Sequence, residues 1–148
     1  MAFSTIKNLL VLSDRFATAG QPTEAELRAL AASGFEEVIN LGLLDPRYCL
    51  ADEAGFVASL GLRYLHIPVD FEAPQFADFE RFEQALRSAS ERKVFVHCAA
   101  NKRVSCFVAL FGERALGWTR EQADAHVARV WQPNPNWSAF IADARARF

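Results

Sequence analysis

The segment VFVHCAANKRVSCF, residues 94–107, joins a short apolar strand to an apolar helix through a polar loop. Lys93 to His97 has the unbroken apolar character of a strand that is buried on both faces of a parallel sheet. CAANKR follows as the loop, and VSCFVALFGERAL continues as a helix that ends at Gly117. In an open α/β sheet, such loops lie beyond the carboxyl ends of the strands, where ligands bind. The segment therefore predicts an α/β fold with a ligand site beginning at Cys98.

Strands and helices alternate along the rest of the chain. Helices are predicted from Thr23 to a stop at Gly34, over roughly Leu50 to Leu60 with Gly61 closing it, over Gln75 to Ser90, over Thr119 to about Trp131, and from Asn134 onward. Strands are predicted over FEEVINLGL, ending near Leu41, and over Leu62 to Val69. LLVL and RFATAG compete for the first strand, and a hairpin that uses both is an alternative. We expect a central, mainly parallel sheet of four or five strands with helices on both faces.

Length and composition indicate one domain spanning residues 1–148. Half of the 148 residues are apolar, which is enough for a substantial core. The net charge of −2, without a long run of like charge, does not favour nucleic acid as a partner. No apolar run approaches the ~20 residues of a membrane span, so we expect no membrane partner.

The remaining composition favours a cytoplasmic protein without metal or cofactor. The apolar stretch near the N-terminus is interrupted by Asp14 and Arg15, and no cleavage site follows it. The three cysteines, Cys49, Cys98 and Cys106, have neither chelating nor disulfide-framework spacing, which fits a reducing compartment. His66 and His126 have no second ligand nearby in the sequence, and no metal site is predicted.

The loop after the strand combines three features that suit an anion and a nucleophile. The amide N–H groups of Ala99 to Arg103 precede the helix, so they lack strand or helix partners and can converge on an anion at the helix N-terminus. A cysteine in this field is favoured as the thiolate, the nucleophilic form. The planar guanidinium of Arg103 can bind two phosphate oxygens at once, unlike the mobile charge of Lys102. Attack by Cys98 on phosphorus would give a phosphocysteine that water hydrolyses.

HCAANKRVS resembles the active-site loop of the cysteine-based protein phosphatase superfamily, whose pattern is His-Cys, five residues, Arg, then Ser or Thr. GQPTEAELRALAASGFEEVINL and YLHIPVDFEAP resemble more closely a bacterial branch of dual-specificity-like phosphatases, close to the beta-lactamase hydrolase-like phosphatase domain. The likeness covers roughly residues 16–116. It implies the phosphatase α/β sandwich and the hydrolysis of phosphate monoesters without metal, on a phosphorylated protein or small molecule.

The loop departs from the superfamily pattern in length and composition. Only four residues separate Cys98 from Arg103, a length that rhodanese-type sulfurtransferases use. Asn101 stands nearest to the usual glycine and is the residue type that best tolerates its left-handed conformation. Val104 follows the arginine, which leaves Ser105 as the hydroxyl that could bond the thiolate. Sulfur transfer through a Cys98 persulfide, and an anion-binding pseudophosphatase, therefore remain alternatives.

Two further roles complete the predicted site. His97 is expected to hold the loop by hydrogen bonding, as the resemblance implies. Asp70 ends an earlier strand and lies twenty-eight residues before Cys98, near the separation at which the resembled phosphatases carry their general acid. A turn residue is the alternative role for Asp70, and Glu72 is the substitute acid. The predicted phosphate-binding residues are Ala99, Ala100, Asn101, Lys102 and Arg103.

Overall fold

The computed structural model describes residues 1–148 and contains one five-stranded sheet. The strands are β1 (Leu10–Ser13), β2 (Phe16–Ala19), β3 (Glu37–Asn40), β4 (Arg63–His66) and β5 (Val94–His97), in the spatial order β1-β2-β5-β3-β4. β1 is antiparallel to β2, and every other pairing is parallel. The predicted mainly parallel α/β sheet is confirmed. Both candidates for the first strand are used, as the two strands of a hairpin.

Six helices connect and cover the strands. They are α1 (Glu24–Ala32), α2 (Glu53–Ser59), α3 (Phe76–Ala89), α4 (Lys102–Ala115), α5 (Arg120–Ala128) and α6 (Pro135–Ala146). The predicted capping boxes are present at the starts of α1 and α5, where Thr23 pairs with Glu26 and Thr119 with Gln122. None of the helices combines the length and apolar character that crossing a bilayer requires.

β5 lies in the middle of the sheet, between β2 and β3, and all four of its residues are buried. A cluster of 22 buried apolar residues packs one face against α3, α4, α5 and α6. A second cluster of 11 packs the other face against α1, α2 and the N-terminal Phe3 and Ile6. Helices therefore cover both faces, and the loop after β5 is anchored by the most buried strand.

The strand before Asp70 is shorter than predicted. β4 ends at His66 rather than at Val69. Pro68 lacks an N–H donor and cannot continue a ladder. The chain still follows β3, because the amides of Ile67 and Val69 donate to the carbonyls of Asn40 and Leu41. This extension carries the chain to the carboxyl edge of the sheet.

Candidate active site

The loop 98–103 leaves β5 at the carboxyl edge of the sheet and turns directly into α4. Asn101 makes this turn in the left-handed conformation, with φ 66° and ψ 3°, and is the N-cap of α4. A non-glycine residue there loses roughly 1 kcal/mol, least for Asn or Asp. Asn101 thus occupies the conformation that the sequence predicted for it.

The carbonyl groups of Ala99 and Ala100 accept hydrogen bonds from residues outside the loop. Ala99 O accepts from the Gln21 amide at 3.0 Å, and Ala100 O accepts from Asn8 Nδ2 at 2.9 Å. The amides of Ala99, Lys102 and Arg103 donate no hydrogen bond within the chain. Free N–H donors at the start of a helix form a concavity suited to an anion.

The N-terminal segment fixes this loop through a reciprocal pair of asparagines. Asn8 donates its side-chain amide to Ala100 O, and Asn101 Nδ2 donates to Asn8 O at 2.9 Å and to Thr18 Oγ1 at 3.2 Å. Asn101 is completely buried. The loop conformation therefore depends on Asn8, which lies more than ninety positions earlier in the chain.

Gly20 permits the loop to lie directly against the end of β2. Its amide donates to Lys7 O at 2.7 Å, and it forms an isolated antiparallel bridge with Ala100. A Cβ atom at this position would stand only 2.6 Å from Ala99 O. The close approach of the two backbones thus requires glycine.

Arg103 is a buried cation without a carboxylate partner. Only 5 % of the residue is exposed. Its Nη1 donates to Val69 O at 2.9 Å, and its Nη2 to the Tyr48 hydroxyl at 3.4 Å, while the Phe71 ring lies 5.9 Å away. No acidic side chain lies within ion-pair distance of the guanidinium. A buried charge in this state favours an anionic ligand.

Asp45 adds negative charge near Arg103 and stays ionised. Hydrogen bonds from the Arg47 side chain and backbone, together with the charges of Arg47 and Arg103, lower the pKa of Asp45 to about 2. This carboxylate is therefore not a proton donor at neutral pH.

Asp70 lies between two residues that contact Arg103. Val69 O and the Phe71 ring both contact the guanidinium, so the exposed Asp70 is flanked in the chain by two residues that reach Arg103. Its Oδ1 accepts from the Glu72 amide at 2.9 Å, which is a turn-type hydrogen bond. The start of α6 holds this segment, since Trp137 Nε1 donates to Phe71 O at 2.9 Å and Asn136 Nδ2 donates to Glu72 O.

His97 lies behind the loop and is fully buried. Its Nε2 lies 2.5 Å from Glu53 Oε2, and its Nδ1 is 3.3 Å from Cys98 O. The Gln21 side-chain amide donates to the other Glu53 oxygen at 2.7 Å. Burial alone would raise the pKa of Glu53, but His97 and Gln21 together hold it below its ordinary value. This network connects the base of the loop to α2 and to the segment that precedes α1.

Ser105 does not make the expected hydrogen bond to the Cys98 sulfur. Its single hydroxyl proton is directed to Lys102 O at 2.7 Å, and its oxygen accepts from Trp131 Nε1 at 3.1 Å. Ser105 therefore fastens the first turn of α4 to Trp131. Burial raises the pKa of the neighbouring Cys106 to about 12, which makes that thiol inert. Cys98 itself has no exposed surface.

Four residues around the loop were missed in the sequence analysis: Asn8, Gly20, Tyr48 and Glu53. Their contacts with the loop or with its histidine and arginine arise from tertiary packing, which no local pattern reveals. From the sequence alone, an acidic residue near the start of a predicted helix, such as Glu53, is explained by its favourable interaction with the helix dipole.

The chain is similar in sequence and structure to phosphatases. Residues 8–132 match the family described as PTP-NADK, a DSP-PTPase phosphatase fused to NAD+ kinase. A DUF442 protein of Shewanella putrefaciens CN-32 that is assigned as a phosphatase is 27% identical, with a TM-score of 0.88 over 99% of this chain and 97% of that chain.

Two further structures share the fold. Tk-PTP in its active form is 20% identical, with a TM-score of 0.81 over 95% of this chain and 98% of that chain. A cysteine-to-serine variant of TpbA from P. aeruginosa, in complex with pTyr, is 18% identical, with a TM-score of 0.73 over 95% of this chain and 89% of that chain. No curated protein matches the sequence. The match over most of its length shows that the chain belongs to the PTP-NADK family of dual-specificity-type phosphatases.

Proposed function

We propose that this phosphatase hydrolyses phosphate monoesters through a phosphocysteine on Cys98. The observation that carries the proposal is Arg103, a buried guanidinium without a carboxylate partner, beside the free amides of Ala99 and Lys102. A phosphate dianion in the loop would supply the missing negative charge and accept these donors. Ala100 and Asn101 complete the loop that would surround it.

The proposed reaction uses three side chains, those of Cys98, Asp70 and Arg103. The Cys98 thiolate attacks phosphorus, so that an S–P bond forms while the P–O bond to the leaving group breaks. Asp70, which is flanked by two residues that contact Arg103, gives its proton to the leaving oxygen. Water then attacks the phosphocysteine, transfers a proton to Asp70, and releases inorganic phosphate and the thiolate. Arg103 stabilises the charge on the non-bridging oxygens throughout.

The substrate is a phosphorylated side chain or small molecule. TpbA, which shares the fold, is seen in complex with pTyr. In this chain two aromatic residues, Tyr48 and Phe71, contact Arg103, which suits an aryl ester beside the loop.

A second candidate function is anion binding without turnover. The complete burial of Cys98 favours it, because a nucleophile must reach the phosphorus atom. The loop, one residue shorter than the superfamily pattern, would then form a tight nest that holds an anion above an inaccessible sulfur.

Aryl phosphate hydrolysis distinguishes these functions. The wild-type protein should release nitrophenol from para-nitrophenyl phosphate and form a covalent, radiolabelled phosphoenzyme from a labelled aryl phosphate. Cys98→Ser should abolish both signals while retaining inorganic phosphate binding, and the matched control Cys49→Ser should retain activity.

The remaining outcomes identify the alternatives. Phosphate binding without turnover by the wild type would support the binding function. Production of thiocyanate from thiosulfate and cyanide, dependent on Cys98, would support sulfur transfer. Arg103→Lys should weaken phosphate binding about tenfold or more, because the bidentate geometry is lost although the charge is kept.

A further inference from the structure

A cleft of about 860 Å³ opens beside the loop 98–103. Ala99 forms part of its wall and belongs to the loop itself. Tyr48 also lines it, and the hydroxyl of Tyr48 accepts a hydrogen bond from Arg103. The cleft is therefore adjacent to the proposed phosphate site, and its volume is within the range of small-molecule sites.

Two cations without acidic partners line the same cleft. Lys7 and Arg28 are both exposed, and neither side chain forms an ion pair or a hydrogen bond. Glu24 is the single acidic residue in the lining, so the wall carries a net positive charge in a chain whose total is −2. The net positive charge of the wall would attract an additional anionic group in this cleft.

The backbone of Lys7 and the side chain of Arg28 are each held by a contact within the chain. Lys7 is fixed through its backbone carbonyl, which accepts from the Gly20 amide next to Ala100. The Arg28 guanidinium lies 5.0 Å from the centre of the Phe56 ring, a cation–π contact that restricts its position. Restricting the Arg28 side chain in advance lowers the entropic cost of using it for a ligand.

We propose that the substrate carries a second anionic group, and that Lys7 and Arg28 bind this group while the ester phosphate lies in the loop. The substrate class is a small phosphate ester with a second phosphate on the same molecule. This inference rests on the proposed function, because it assigns the neighbouring site to the same substrate.

Binding to Cys98→Ser tests the inference without any need for turnover. The probes are straight-chain alkanediol bisphosphates of two to eight carbons and alkyl monophosphates of matching length, measured by titration calorimetry at low salt. At the best length, the bisphosphate should bind at least tenfold tighter than the monophosphate, beyond the factor of two that its identical ends provide. The length with the greatest advantage measures the span between the two sites.

Charge-neutralising variants then assign the advantage to the two cations. Lys7→Gln combined with Arg28→Gln should remove most of the bisphosphate advantage and change monophosphate affinity by less than twofold. Arg120→Gln, at an exposed arginine on α5 without an ion pair, should leave the advantage unchanged. An advantage that survives the double variant, or no advantage at any length, overturns the inference.

The failure of the proposed function has a different signature. Monophosphate binding without turnover of any ester by the wild type would overturn hydrolysis alone and leave the second site intact. If neither inorganic phosphate nor any of the probes binds, both the proposed function and the second anion site are overturned.

Discussion

Glu53 Oε2 lies 2.5 Å from Nε2 of His97, the residue immediately before Cys98, and both side chains are buried. The carboxylate comes from the first residue of α2, which Asp52 caps through the Gly55 amide. The position of the imidazole behind the loop is thus set by a helix on the other side of β3. A change at Glu53 should therefore reach the loop through His97.

Replacement of Glu53 by Gln should lower stability at pH 7 by about 1–3 kcal/mol, because a charge-assisted buried hydrogen bond is lost. Because the pKa of Glu53 is lowered in the folded protein, its contribution is present above its ordinary value of 4.5 and is lost as the pH falls through the folded value. Denaturant unfolding at pH 7 and below pH 4 should show the difference from wild type shrinking in acid. The exposed Glu80→Gln is the control and should change little at either pH.

Gly20→Ala should displace the loop, because the added Cβ would stand 2.6 Å from Ala99 O. We expect a loss of about 1–3 kcal/mol in stability, as for other overpacked sites. Inorganic phosphate binding should weaken at a temperature at which the variant is still folded. Normal affinity in a folded variant would show that the loop can move away without losing its shape.

Asn101→Gly should be tolerated better than Asn101→Ala. Both variants lose the hydrogen bonds to Asn8 O and Thr18 Oγ1. Only alanine adds the cost of a left-handed conformation at φ 66°, about 1 kcal/mol. Thermal stability and phosphate affinity should both be highest in the wild type, lower in Asn101→Gly and lowest in Asn101→Ala. A reversal of the two variants would contradict the conformational explanation.

Asp70→Asn should slow esters with poor leaving groups selectively. A phenyl phosphate needs a proton on its leaving oxygen, so its turnover should fall by ~10²-fold or more, whereas an activated nitrophenyl ester should change little. The control is Glu72→Gln, which should leave both rates nearly unchanged. Equal effects of Asp70→Asn on the two esters would assign Asp70 to the turn, and selectivity in Glu72→Gln would transfer the acid role to Glu72.

His126 should make the fold sensitive to acid. It is 6 % exposed, its Nε2 has no partner, and burial together with the Arg129 charge lowers its pKa to about 4. The unfolded chain binds a proton near its ordinary pKa of 6.5 and the folded chain does not, so stability falls as the pH drops from 6.5 toward 4. The loss should reach about 2 kcal/mol by pH 5. Urea unfolding of His126→Leu between pH 7.5 and 5 should show a weaker dependence, and an unchanged slope would exclude His126 as the cause.

The sequence predicted the elements well because their signals are local. The apolar pattern from Lys93 to His97, the capping residues Thr23 and Thr119, and the phenylalanine spacing of α3 each report on a few neighbouring residues. The end of β4 was misplaced because the apolar run continues past His66 although Pro68 interrupts the ladder. Propensity could not show that the chain goes on hydrogen-bonding to β3 without forming a regular strand.

The site was predicted only where the chain itself brings its parts together. Cys98, Asn101 and Arg103 lie on one loop, so their spacing was informative. The partners of that loop come from distant segments: Glu53 from α2, Tyr48 from the loop before it, and Asn8 from the N-terminus. The partner of the Ser105 hydroxyl was not predicted, because its oxygen accepts a hydrogen bond from Trp131 Nε1. Trp131 lies twenty-six residues later, and sequence spacing does not reveal this contact.

The reciprocal bonds between Asn8 and the loop make docking of the N-terminal segment and anion binding thermodynamically linked. If the loop geometry that binds an anion is the one that Asn8 stabilises, then the bound anion must favour the docked segment by the same free energy. Phosphate bound in the loop should therefore slow hydrogen exchange at the Gly20 amide, whose acceptor is Lys7 O. The first residues of the chain would in this way report on the occupancy of a site that is formed nearly a hundred residues later.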